Sequence, residues 1–229
     1  MLQPNELHYL KRVLRLSIGE YVEVVDGEGV LLKAVFHPPK YLRFESISLL
    51  KKSLYKRPSP LICLAIAIPK RGFDQALRMC TEIGVDKIQP LLTERTNSNL
   101  KINIERSESI IRNAVEQSER LWKPELLEVT TFNNLTTKLK GSSALAIAIT
   151  RGKKINQLSS WLTKYSLDLD EIWIAVGPEG GWSPEELLTS FELGWSPVEI
   201  GDSIFRTSTA GVLSTYIMSD WRRNTRIKH

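Results

Sequence analysis

Gly177-Pro178-Glu179-Gly180-Gly181 is a turn with three glycines, set between an apolar run and a helix start. Glycine leaves backbone N–H and C=O groups uncovered and lets a ligand come close to the main chain. The turn lacks the lysine and serine or threonine of a Walker loop and the spacing of G-x-G-x-x-G. Glu179 inside it would repel a phosphate, so the turn favours a ligand with a cationic centre or with hydroxyl and amine donors. Further on, Ile200-Gly201-Asp202-Ser203-Ile204-Phe205-Arg206-Thr207 forms a second glycine turn. Taken singly, Gly201 is equally a plain turn and Arg206 a solvated charge. Two such loops at the carboxyl ends of strands can converge on one small molecule. Metal chemistry is not expected, because the three histidines and two cysteines are scattered without ligand spacing.

The elements that must position these loops are legible on either side of them. Ile172 to Val176 is apolar throughout, as in a strand buried on both faces. After the first turn, Ser183 reads as an N-cap, Pro184 as the first helical residue and Glu186 as the partner completing a capping box. Upstream, Leu61 to Ile68 is a buried strand. Asp74 to Ile83 is helical, with Ala76, Leu77, Cys80 and Ile83 on one face and Gly84 as its stop. Lys87 to Leu92 is a strand, Glu105 to Arg120 a long helix and Ala144 to Ile149 a third buried strand. Val198 to Ile200 is a short last strand. A final helix is expected from Thr209 to Trp221, capped by Thr207 or Ser208. Strands alternating with helices predict a parallel sheet covered on both faces.

Residues 1–57 are different. Tyr21 to Val25 and Val30 to Phe36 read as strands around the hairpin turn Asp26-Gly27-Glu28-Gly29, and Tyr41 to Leu49 as another. A short helical piece, His8 to Leu16, precedes them. Short strands and tight turns in so few residues predict a small barrel. Lys51 to Pro60, basic and with two prolines, reads as a linker to a second domain at 61–229. Ten Lys/Arg against six Asp/Glu give this front segment +4 of the chain's +5. That placement suits a module facing nucleic acid, and equally a solvated basic surface. The length of 229 residues allows a proper core, and no apolar run reaches the length of a membrane span. The opening MLQPNELHYLKR has no apolar signal core. Cys63 and Cys80 read as buried thiols, and with so little cysteine a reducing cytoplasm is the expected home.

GPEGGWSPEE followed by LGWSPVEIGDSIFRTSTA resembles the signature of the RsmE-type 16S rRNA (uracil-N3)-methyltransferases, members of the SPOUT class. The likeness extends upstream through KRGFDQALRMCTEIGVDKIQPLLTERT and AVEQSERLWKP. It reaches the front, where HYLKRVLRLSIGEYVEVVDGEG is similar to the family's opening of a PUA-like barrel. The chain departs from the pattern at Ser208, where the family carries an acidic residue, and at Ser203, Met79 and Glu119. The resemblance implies a PUA-like β-barrel over 1–57 and an α/β domain over 61–229 whose chain end forms a trefoil knot. It implies S-adenosyl-L-methionine as cofactor, held by Thr150, by Gly177, Pro178, Glu179, Gly180 and Gly181, by Ile200, Gly201, Ser203, Ile204 and Phe205, and by Thr209 and Ala210.

The implied reaction is methyl transfer to N3 of a uridine in 16S rRNA of the small ribosomal subunit. N3–H lies on the pairing edge, so the base must be unpaired or flipped out, and the developing uracil anion must be stabilised. Arg206 is the candidate for that role. RNA contacts are expected from Arg12 and Arg15 together with Arg95, Gln117 and Arg120; surface solubility or helix pairing would explain each equally well. The family also implies a homodimer, with Val212, Leu213, Tyr216 and Ile217 at its interface, although that stripe suits an intramolecular core too. Two other readings stay open: a related SPOUT enzyme with another target such as a ribose 2′-oxygen, and a catalytically weak RNA-binding ribosome assembly factor.

Overall fold

The computed structural model describes residues 7–37, 41–43, 53–96, 101–139, 144–150 and 155–227. The chain divides into two units. One comprises Met1–Arg57 with Arg120–Trp122, the other Pro58–Glu119 with Lys123–His229.

In the first unit, β1 (Tyr21–Val25) and β2 (Val30–His37) pair antiparallel, with Val25 opposite Leu31 and Tyr21 opposite Val35. The hairpin closes because the Asp26 carboxylate accepts hydrogen bonds from the Glu28 and Val30 N–H groups at 2.7 and 3.0 Å. Gly27 and Gly29 supply the left-handed φ values of 79° and 91° that the turn needs. β3 (Tyr41–Arg43) and β4 (Ser53–Leu54) both pair antiparallel with β2. Residues 44–49 of the strand expected from Tyr41 lie outside the described residues. The stretch read as a linker is shorter than expected, because Ser53–Leu54 joins the sheet and Tyr55 N–H donates to the Gly29 carbonyl at 3.0 Å. The short helical piece expected at His8 to Leu16 is present and ends earlier: Tyr9–Val13 is π-helical, and Arg15, at φ 53°, turns the chain out of the helix. Ala34 and Phe36 on β2 and Leu10 on the turn are buried.

The second unit is built on an eight-stranded sheet in which every pair is parallel. Its strands are β5 (Leu61–Ala67), β6 (Lys87–Leu92), β7 (Glu125–Leu126), β8 (Thr130–Thr131), β9 (Ala144–Ala148), β10 (Asn156–Gln157), β11 (Glu171–Val176) and β12 (Ser196–Glu199). The order is β10-β12-β9-β11-β5-β6-β7, with β8 also paired to β6. Between strands run α1 (Phe73–Ile83), α2 (Ile104–Gln117), α3 (Phe132–Lys138), α4 (Leu158–Leu162), α5 (Pro184–Glu192) and α6 (Thr207–Ile227).

Alternating side chains on the central strands feed two cores. Ile62, Leu64, Ile66, Ile172 and Ile174 pack with α1, α4 and α6. Cys63, Ala65, Trp173 and Ala175 pack with α3 and with Trp182 and Trp195. This is why β5 and β11 read as unbroken apolar runs: both faces are covered. α6 lies close on β5 because Gly211 is bare, and a Cβ there would stand 2.9 Å from Ile66 Cδ1. The far end of α6 is pinned by Arg222, 7% exposed, which pairs with the buried Asp86 carboxylate and donates to the Pro60 and Gly84 carbonyls at 3.0 and 3.2 Å. Asp86 also accepts from Ile62 N–H at 2.9 Å. α6 therefore extends at both ends past the helix read from sequence.

Candidate cofactor cleft and active site

Parallel strands bring the carboxyl ends of β9, β11 and β12 to one edge of the sheet, and the loops that follow enclose a cleft of about 460 Å³. Both glycine turns enter it. Gly177, Pro178, Glu179 and Gly181 come from the first; Ile200, Gly201, Ser203, Ile204 and Phe205 come from the second. Thr150, after β9, and Ala210, in the first turns of α6, complete the residues singled out from sequence.

The first turn is set by α5. Ser183 Oγ accepts from Glu186 N–H at 3.2 Å, and Glu186 Oε2 accepts from Ser183 N–H at 2.9 Å, the reciprocal capping box. Glu186 is buried, and its second oxygen accepts from Glu94 N–H at 3.0 Å, tying the loop after β6 to the start of α5. Within the turn, Gly181 N–H donates to the Pro178 carbonyl at 2.8 Å, with Gly181 at φ 70°.

Trp182 is the residue that sequence reasoning missed. Its indole N–H donates to the Ala148 carbonyl at 2.9 Å, bridging the ends of β9 and β11. A Cβ on Gly177 would stand 2.9 Å from the indole Cε2, so glycine is required there by the ring and not by the turn. The ring also stacks on Phe132, centroids 4.4 Å apart. The signal was present in Gly180-Gly181-Trp182, a bulky residue directly after two bare ones. Thr207, read only as a cap, is buried; its hydroxyl donates to the Gly177 carbonyl at 2.9 Å and so joins α6 to the first turn. Leu187 and Asp202 also line the cleft.

Three residues of the expected cofactor set and site do not line the cleft. Gly180 is exposed and lies beside Arg95, whose side chain would stand 3.3 Å from a Cβ there and whose guanidinium donates to the Gly180 carbonyl at 2.9 Å. Thr209 is exposed on α6. Arg206 is exposed and sits between Phe205 and Thr207, both of which line the cleft; its carbonyl accepts the first α6 hydrogen bond, from Ala210 N–H at 2.8 Å. Ser208 faces another way, its Oγ 3.3 Å from where a Gly72 Cβ would stand. Of the residues expected at RNA, Arg95 is engaged as above and Gln117 is exposed at the end of α2. Arg12 and Arg15 are exposed in the first unit, and Arg120, half-buried, is counted with that unit as well. Among the described residues no group of three or more His, Cys, Asp or Glu could hold a metal, and no helix is long and apolar enough to cross a membrane.

Residues 56–219 match the family model of an RNA methyltransferase domain, and residues 2–36 that of an RNA methyltransferase PUA domain. The ribosomal RNA small subunit methyltransferase E of Synechocystis sp. is 38% identical over 208 residues, which are 90% of this chain and 67% of that protein. That of Rickettsia conorii is 31% identical, over 91% of this chain and 84% of its own. Among solved structures, a probable rRNA-methyltransferase from Porphyromonas gingivalis superposes with a TM-score of 0.80 at 25% identity, covering 99% of this chain and 93% of that one. The small subunit methyltransferase E of Neisseria gonorrhoeae, solved bound to S-adenosyl methionine, gives 0.75 at 27% identity over 95% and 90%. With a matched domain over more than half its length and close relatives over nearly all of it, the chain belongs to the RNA methyltransferase family that includes the small subunit methyltransferases E.

Proposed function

We propose that this protein methylates ribosomal RNA of the small subunit with S-adenosylmethionine as methyl donor, at N3 of a uridine. The observation that carries the reading is the convergence of three strand-end loops on one cleft, with bare glycine backbone on two of them. Its volume of about 460 Å³ lies within the range of small-molecule sites, roughly 300–1,000 Å³. The relatives' names and the cofactor in the Neisseria structure support the substrate and the donor.

The cleft fits the cofactor chemically. Gly177, Gly181 and Gly201 offer main-chain groups to an adenine edge and ribose hydroxyls, while Val176, Leu187 and Phe205 give apolar wall and exclude water. Exposed Glu179 on the lip favours a positive centre nearby. When bound, S-adenosylmethionine supplies an electrophilic methyl group on a sulfonium. The protein's own contribution is to hold the base's pairing edge at the cleft mouth and to stabilise the negative charge that appears as the N3 proton leaves. Arg206, flanked by two cleft residues, serves that second task. Orientation of the two reactants adds on the order of 7–11 kcal/mol in favourable cases. Arg12 and Arg15 of the first unit serve RNA binding, and a homodimer through α6 belongs to the same reading. In α6, Val212 and Ile217 pack partly on the core while Tyr216 is exposed, which makes Tyr216 the probe of choice for a dimer by sedimentation of Tyr216→Glu.

The test is transfer of label from S-adenosylmethionine to small subunits from cells lacking the modification, followed by nucleoside analysis. Label in N3-methyluridine supports the reading. Label in a ribose-methylated nucleoside assigns the same fold to another reaction. Binding of cofactor and subunits without transfer sinks the enzyme reading and leaves an assembly factor.

A further inference from the structure

A second cleft, of about 320 Å³, opens elsewhere in the larger unit and is absorbed by neither the cofactor nor the reacting base. It lies after β5 and between the N-termini of α1 and α2. Lys70, Arg71, Lys101 and Arg106 line it with one carboxylate, Asp74, which Arg106 Nε binds at 2.7 Å. Four cations against one anion leave it at +3. Lys70, Arg71 and Lys101 are exposed, and among the described residues none of them has a carboxylate partner within salt-bridge distance.

The backbone adds to this field. α1 begins at Gly72, φ 84°, with no side chain capping it, so its first N–H groups and the positive end of its dipole face the cleft mouth without a side-chain acceptor. α2 differs, since Asn103 caps it by accepting from Arg106 N–H at 2.9 Å. A compact anion would be held by a deep, closed site. Here the cations are spread along an open cleft on exposed side chains, which suits a chain of phosphates.

Position decides what that chain is. β5 and β11 are adjacent and parallel, Ile66 opposite Val176, so the Ile68–Gly72 loop leaves the same sheet edge as the Gly177–Gly181 turn. Ser208, two residues beyond Arg206, has its Oγ 3.3 Å from the Cβ position of Gly72. The basic cleft therefore adjoins the start of α6, where Arg206 stands. We infer that Lys70, Arg71 and Lys101 bind the phosphate backbone of the RNA that flanks the target nucleotide, an inference that rests on the ribosomal RNA reading above.

The test compares full-length wild type with the Lys70→Ala/Arg71→Ala/Lys101→Ala triple variant in binding 16S rRNA across a salt series, with S-adenosylmethionine affinity measured beside it. Each single-strand phosphate contact contributes about 0.7 to the slope of log K against log salt, so the triple variant should be flatter by about 2. Cofactor affinity should not change, and Lys70→Arg/Lys101→Arg should keep the wild-type slope. An unchanged slope and affinity in the triple variant overturns the inference. So does a loss shared equally by cofactor and RNA, which would assign these side chains to the fold. If wild type binds rRNA but transfers no methyl, the reaction reading fails while the slope comparison still decides the cleft. If wild type shows no salt-dependent rRNA binding, both fall.

Discussion

Gly177 is bare because the Trp182 indole fills the space a side chain would need, and the indole N–H is spent on the Ala148 carbonyl. Gly177→Ala would put a methyl 2.9 Å from the ring and force it off that bond. Titration calorimetry should find S-adenosylmethionine affinity lowered at least tenfold, with the fold retained by circular dichroism. Trp182→Phe keeps an aromatic ring at the site but loses the hydrogen bond, about 1 kcal/mol, and part of the buried indole packing on Phe132, so it should weaken binding while leaving room beside Gly177. Arg206→Ala tests the role proposed for that guanidinium. Removing a donor aimed at developing charge costs roughly 10²–10³ in rate, and the loss should appear in kcat with cofactor affinity kept. The cysteines behave differently. Both are buried, and burial, partly offset by a Thr215 hydrogen bond, pushes the Cys80 thiol up to about 11 from 9.0. Its folded value is raised, so its contribution to stability is full below pH 9 and is lost as pH rises toward 11. A thiol reagent at pH 8 should find neither cysteine until denaturant is added.

At the level of elements, α6 carries two jobs at its two ends. Thr207 at the start joins the first glycine turn, and Arg222 near the end holds Asp86 and two carbonyls. Arg222→Ala would leave a buried carboxylate without its cation, a change that typically costs about 3–5 kcal/mol. Chemical denaturation should show a loss of that order, and Arg222→Lys should recover only part of it, because one ammonium cannot reproduce the fork that reaches three acceptors. α5 is likewise a device for the site. Glu186 satisfies both the α5 N-terminus and Glu94, so the capping box visible in sequence also fixes the loop after β6.

For the whole molecule, the cleft proposed for the cofactor draws on the larger unit alone, whereas Gly29 belongs to the smaller one. A Cβ on Gly29 would stand 2.3 Å from the Trp122 ring, and its φ of 91° disfavours any side chain. Gly29→Ala should therefore destabilise the small unit by overpacking, on the order of 1–3 kcal/mol, while S-adenosylmethionine affinity stays at the wild-type value. Loss of cofactor binding in that variant would mean that the cleft is not self-contained.

Local signals in the sequence determined much of this. Buried strands announce themselves by unbroken apolar runs, and the cap of α5 is written in Ser183-Pro184-Glu185-Glu186; both follow from short-range sterics and hydrogen bonding. The first glycine turn was legible because Gly181 takes a left-handed φ of 70° that favours glycine, whereas the bareness of Gly177 answers to the Trp182 ring. α3 and α4 were not, being short, and α3 is built from Asn and Thr with weak helix preference. The ends of α6 were missed for another reason: they are held by Gly177, Pro60, Gly84 and Asp86, partners distant in sequence. So were Trp182's bridge, Arg95's hydrogen bond to the Gly180 carbonyl, and the meeting of Ser208 with Gly72. Which side chain touches which loop is set by the parallel order of the strands. That order depends on contacts made only when the whole sheet has formed.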